Sequence, residues 1–558
     1  MFHFQMVLNR RENSIFLLPQ IAQQCLVFLT TGEVPEDSTG FKLLFTSIEK
    51  EVEDVPLKFE LPGGIPKWVR GTLIKNGPGK FEMGDKRVVH AFDGFAKLSS
   101  WKFPGDGESL YFTTKMQQTN YYKDSVATNT IAPYVLFAGT IPEENTIQKM
   151  QRMMNGMDNN LVNVYESSKT NPDPELVALN DMWKLYTLNM TKVELKKTYK
   201  PFLPKHIEDP DSSMKGFLEN IMGIKMPEIP GLSSAHPLFE YKKDNWVTYY
   251  VKIELDGQSE FSVIRLGEDM VPKEVTSWKV DSNAIPYMHS FAVTENYAAF
   301  FATPCYFDFP HLMAEGTFDI KSAMRCEPND PMVIYVVDLR TSKMTKLETK
   351  YPGLIIHFIN SYETDNGTKI VADCTHFPGF EQLTGITVPT MINVEERNKF
   401  ETPNRLTRFT LDLTTLTVTA EHLHSMPSID SVMTHIEFPV INENHRSLNY
   451  CNFWGTIFKA DNIHYGKWAI GKKNVCGNPS ADLIWHKPNH YPMEPWFIPR
   501  PDSSSEDDGV VITSILDGEK GKNYLAVLNG TTLEMMNYAY MPIHLPMDFH
   551  GRFIANKF

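Results

Sequence analysis

The sequence predicts an all-β architecture that closes on itself, a propeller or a barrel. After residue 60 the chain runs through short β-branched and aromatic stretches: Gly71–Ile74, Trp246–Ile253, Phe261–Leu266, Tyr297–Phe301, Met332–Val337, Lys369–Asp373, Val510–Leu516 and Tyr524–Leu528. Each stops at Gly, Pro, Asn or Asp, the punctuation expected between strands. The composition, 42% hydrophobic and 22% charged over 558 residues, is that of a folded chain able to bury a large core. A long series of strands must hide its edges, and closure is the usual solution. There is no WD or kelch signature and no clean internal period, so any repeats have diverged in sequence.

Helical patterns are few. Asn145–Asn155 is one, and Met214–Ile224 is another, with Met214, Phe217, Leu218, Ile221 and Met222 on one face. That stripe reads as core-facing or as dipping into a membrane. Residues 1–50 are expected to be an extension of uncertain order, followed by one domain over 51–558. Arg10 and Arg11 precede two apolar stretches, but Pro19, Gln20, Gln23 and Gln24 interrupt them. This is no signal-peptide core. No window supplies the run of about 20 apolar residues a membrane span needs. A cytoplasmic setting is expected, with a weak mitochondrial address as the competing reading.

The net charge of −14 argues against nucleic acid as a partner. Six cysteines, Cys25, Cys305, Cys326, Cys374, Cys451 and Cys476, form no CxxC pair and are expected to be reduced thiols. The segment Ser503–Asp508, SSSEDD, reads as a solvated acidic loop, since it lacks the alternating ligands of a calcium loop.

Seventeen histidines are present, and context separates four of them. His236 lies in SSAHPLFEY, His289 in YMHSFAVTENY, His357 in LIIHFINSYE and His550 in LPMDFHGRFI. An imidazole in apolar sequence needs a hydrogen-bond partner or a metal. The four are too distant in sequence for a local motif, but the inner strands of a propeller all face one axis. Four neutral imidazoles suit a redox iron that must bind O2. Neither HExxH nor a nearby HxD is present, so the familiar zinc and two-histidine-one-carboxylate patterns do not apply. Glu437 in HIEFPVIN and Glu494 in YPMEPWFIP are single charges in apolar, proline-rich sequence. Each is placed to orient a metal-bound imidazole or, more plainly, to sit beside a surface turn.

These motifs, together with residues 66–98, Asp158–Tyr165 (DNNLVNVY) and EDDGVV, resemble the carotenoid cleavage oxygenase family, most closely its animal branch. The likeness runs from about Pro62 to Ile554. It implies a seven-bladed β-propeller with a dome of helices and loops over one face. It implies Fe(2+) held by His236, His289, His357 and His550, with Glu437 and Glu494 behind them. The family's third outer glutamate falls here on Asp181, in ALND, one methylene shorter and expected either to miss its histidine or to reach it after a backbone shift or through a water. Asn180 and Tyr287 are expected to face the substrate. Pro142–Thr146, PEENT, lacks the cysteine many animal members carry, which removes a lipid-attachment point. The implied activity is O2-dependent cleavage of a carotenoid or apocarotenoid double bond, giving aldehydes such as retinal, with peripheral contact to a membrane. Cys305–Met313 matches a region near the tunnel mouth and reads as an interfacial patch or as internal packing. A catalytically lapsed polyene-binding protein and a retinoid isomerohydrolase are the alternatives.

Overall fold

The computed structural model describes residues 39–556, apart from 172, 183, 190–192, 200–230, 255–256, 309–310, 312–318, 402, 424–431 and 462. The chain divides into two units, Met1–Asp37 and Ser38–Phe558, and every described residue belongs to the second. The helix expected at Met214–Ile224 lies outside the described residues.

Strands dominate, as expected. Among the described residues they form nine antiparallel sheets, seven of four or five strands and two of three. Edge strands of successive larger sheets lie side by side. Ala292–Val293 contacts Leu354–Thr364, which contacts Ile436–Ile441. Trp496–Pro499 and Gly551–Ala555 continue the series as far as Asn163–Glu166. One sheet joins the two ends of the chain: Gly71–Lys80 pairs with Gly551–Ala555, with Lys75 opposite Gly551. Gly551 is required there, since a Cβ would collide with the Ile74 carbonyl oxygen.

The packed core begins before residue 51. Phe41, Leu44 and Phe45, in a short 3-10 helix, are buried. The helix expected near Asn145 runs from Thr146 to Asn155, and Asn145 with Gln148 forms a capping box at its start.

The cysteine expectation is corrected. Cys305 bonds Cys326, and Cys451 bonds Cys476; only Cys374 is a free, buried thiol among the described residues. Strand register brings the first pair opposite each other, a proximity that a separation of 21 residues does not announce. The SSSEDD segment is also less solvated than expected. Glu506 accepts the backbone N–H groups of Cys451 and Asn452, and Asp507 pairs with Lys472. In the segment beginning at Cys305, Cys305 and Phe307 are buried, Tyr306 is half-buried and His311 is exposed.

Candidate metal centre

Strand ends and bulges aim the four histidines inward. His236 sits between Leu232–Ser233 and Leu238–Phe239, both paired to Trp246–Lys252. His289 precedes Ala292–Val293, and His550 precedes Gly551–Ala555. His357 lies inside Leu354–Thr364, where the register shifts between Ile355 and Phe358. A bulge of this kind re-aims a side chain that regular pleating would send elsewhere. Glu437 occupies a second shift, between Glu437 and Val440.

The ligand atoms of His236, His289, His357 and His550 all lie within 4.8 Å of one another. His236 Nε2 and His289 Nε2 are 3.0 Å apart, and His357 Nε2 and His550 Nε2 are 3.1 Å apart. Three of the rings are fixed from behind. His289 Nδ1 lies 2.8 Å from Asp181 Oδ2, His357 Nδ1 2.5 Å from Glu437 Oε2, and His550 Nδ1 2.7 Å from Glu494 Oε1. A carboxylate accepts, so each Nδ1 carries the proton and each Nε2 presents a lone pair. Three lone pairs converging within 4.8 Å repel unless a cation lies among them. That donor set fits a divalent first-row metal ion. His236 differs: its Nδ1 neighbour is the Asn163 amide nitrogen at 3.4 Å, and no carboxylate backs it among the described residues.

Each carboxylate is itself held. Glu437 accepts from the Thr375 hydroxyl at 2.5 Å and from Phe438 N–H at 2.8 Å. Glu494 accepts from the buried Lys75 ammonium and from Gly551 N–H. Asp181 accepts from the Tyr287 hydroxyl at 2.9 Å and from Ala235 N–H at 3.1 Å. Asp181 thus bonds His289 directly, so neither an expected miss nor a water-bridged route applies. Burial and the neighbouring imidazoles hold His236 and His550 well below the ordinary imidazole range, so both stay neutral. Burial pushes the Glu494 carboxyl up, against the pull of Lys75.

An apolar cavity opens onto His289, His357 and His550; Phe137, Met182, Phe307, Phe438 and Phe549 are among its walls. Tyr287 and Asn180 line it too. The Asn180 amide, however, is occupied by Asn159, Asn160 and Met182. A second cavity, bordered by Glu443, Arg446 and Arg552, reaches His236. Sequence reasoning missed Lys75 and Thr375. A lysine inside the apolar stretch GTLIKNG was the available signal for the first; nothing marked the second.

A family model described as retinal pigment epithelial membrane protein matches residues 45–555. The chloroplastic carotenoid cleavage dioxygenase 8 of Arabidopsis thaliana is 26% identical over 547 residues, covering 94% of this chain and 88% of that protein. The β,β-carotene 15,15′-dioxygenase of Gallus gallus is 25% identical, covering 91% and 97%. The solved structure of cobalt-substituted apocarotenoid oxygenase from Synechocystis matches with a TM-score of 0.73 at 21% identity, over 92% of this chain and 98% of that one.

Proposed function

The chain belongs to the carotenoid cleavage oxygenase family, described as retinal pigment epithelial membrane protein, and on that premise we propose that it is a non-haem Fe(2+) dioxygenase that cleaves a carotenoid or apocarotenoid double bond. The observation that carries this is the set of three carboxylate-backed imidazoles presenting Nε2 lone pairs to an apolar cavity. His236, His289, His357 and His550 hold the metal on this reading. Asp181, Glu437 and Glu494 keep three of the rings in the metal-binding tautomer. Fe(2+), when bound, supplies the redox chemistry that lets O2 react with a C=C bond. One O2 and one C=C give two carbonyls, so no further reductant is needed. The apolar walls orient the polyene and keep water from the reacting bond.

The seven larger sheets, six of them joined in one series through contacting edge strands, support a seven-bladed propeller as one domain whose core begins ahead of residue 51. Among the described residues no helix is long and apolar enough to cross a membrane. Peripheral contact is supported by Ile141 and Ile147, 49% and 70% exposed. Ile147 lies on a helix whose following residue, Gly156, accepts the N–H of Val135 in the cavity wall. The expected cytoplasmic setting is opposed by the two disulfides, which persist in oxidising compartments. The lapsed-binder alternative loses one of its motives, because Asp181 bonds His289 directly.

Incubating the iron-loaded chain with carotenoid under O2 and weighing the products tests the reading. Paired aldehydes under O2, absent under argon, are expected. Unchanged polyene under both gases would overturn it.

A further inference from the structure

The segment that delivers His550 stands outside the sheets. Residues 544–550 belong to no helix or strand, yet Met547, Phe549 and His550 all line the apolar cavity. Backbone hydrogen bonds tie the segment to distant parts of the chain. Met547 N–H donates to the Leu44 carbonyl at 3.0 Å, Phe549 N–H to that of Asn76 at 2.8 Å, and His550 N–H to that of Val162 at 3.1 Å. The segment crosses the strand Gly71–Lys80 backbone against backbone. A Cβ on Gly77 would lie 2.9 Å from Asp548 Cα and 2.9 Å from the Met547 carbonyl oxygen, so glycine is what admits the crossing. A segment without a ladder lacks the usual means of fixing register, and a slip of one residue would take His550 away from the other three histidines.

At the crossing lies a buried ion pair that the metal centre itself does not use. Lys97 stands directly opposite Gly77 on the neighbouring strand, and its ammonium bonds Asp548 Oδ1; both side chains are 0% exposed. Among the described residues each side chain is the other's sole hydrogen-bond partner, and Asp548 Oδ2 has none. Taking two charges out of water is costly, and an apolar pair of similar volume often serves a core as well or better. Net stability therefore does not account for Lys97 and Asp548. Placement does: a buried ammonium tolerates one position of its carboxylate, because any slip leaves both charges unpaired. We propose that Lys97 and Asp548 are positioning residues that lock the register of residues 544–550, and through it the place of His550 at the metal centre. The proposal rests on the reading of His550 as a metal ligand given above.

The test separates placement from stability. The double variant Lys97→Met with Asp548→Leu removes both charges from the full chain and keeps the site filled. It is expected to melt at or above the native midpoint, yet to bind Fe(2+) about ten-fold more weakly in titration. Hydrogen exchange read by mass spectrometry should show residues 545–552 exchanging about ten-fold faster, with the strand Gly509–Asp517 unchanged. A folded double variant with native iron affinity overturns the proposal. So does faster exchange spread equally over Gly509–Asp517, which would make the pair a general support of the core. If the double variant does not fold, Asp548→Asn, which keeps the shape and loses the charge, takes its place and the same outcomes decide. A native chain that binds no iron would remove the metal reading instead, and the local exchange alone would then decide whether Lys97 and Asp548 set the register.

Discussion

Asp181 Oδ2 lies 2.8 Å from His289 Nδ1, and the Tyr287 hydroxyl touches both, at 2.9 and 3.1 Å. Two hydrogen bonds from one neighbouring segment fix the shorter acid at this distance. Its carbonyl accepts Ser233 N–H and its other carboxylate oxygen accepts Ala235 N–H, on the segment that leads to His236. One carboxylate thus orients one histidine and fixes the approach of another. Removing it by Asp181→Ala should lower metal affinity and activity by about 10–100-fold. Asp181→Glu should retain activity within about ten-fold, since the charge survives but the Ala235 contact must readjust. Metal titration of the two variants checks this, and native affinity in Asp181→Ala would separate Asp181 from the site.

Replacing His236, His289, His357 or His550 by Ala removes one of four converging donors. Each variant should purify without stoichiometric iron and without cleavage activity while keeping its β circular dichroism. Metal analysis of the purified proteins decides it. A fully loaded His236→Ala protein would show that the three carboxylate-backed rings suffice alone.

Glu437→Gln and Glu494→Gln should not be equivalent. Gln keeps the shape of either side chain but removes the charge that supports an imidazole on a cation, for an expected loss of about 10–100-fold in activity. Glu494 also neutralises the buried Lys75, so its variant should lose stability as well. Glu437 faces Thr375 and a backbone N–H, with no cation, and its variant should melt near the native temperature. Equal losses of stability in the two variants would contradict this difference.

How much could be read from residues alone depends on how each residue is placed. His289 and His357 stood out because an imidazole in an apolar strand must be paired, and that need is local. Glu437 and Glu494 stood out for the same reason. The bulges that turn His357 and Glu437 inward were not legible, because a register shift depends on the partner strand. Lys75 was missed because a lysine in a strand reads as facing solvent; its burial follows from pairing with a strand more than 470 residues away. Cys305 and Cys326 were misread because only strand pairing brings them opposite.

Cys451 and Cys476 close a loop of 25 residues, and constraining the unfolded chain by a loop of that length contributes about 3 kcal/mol. Cys451→Ser should therefore lower stability by that order in denaturant melts without reductant. Reducing the native protein should produce a similar loss. Peptide mapping without reductant should recover the two cysteines in one linked species. Free thiols at both positions, with no response to reductant, would return the chain to the reduced state its sequence suggested.

Lys75 carries the final prediction. Its ammonium is 1% exposed and bonds Glu494, which in turn holds His550. A buried ion pair is weak evidence of net stability, but breaking it from one side strands the other charge. Lys75→Met should therefore destabilise the protein by roughly 3–5 kcal/mol. It should also loosen metal binding, because Glu494 loses the partner that positions it behind His550. Lys75→Arg should restore part of both, since it keeps the charge while changing the shape of the contact. The double variant Lys75→Met with Glu494→Met removes both charges from the core. It should be less destabilised than the two single variants summed, while its metal affinity should stay low, because His550 has lost its acceptor. Denaturant melts and metal titrations of the four proteins separate these effects. Additive losses of stability would mean that Lys75 and Glu494 do not depend on each other, and a Lys75→Met protein that binds metal as the native chain does would confine Lys75 to a packing role.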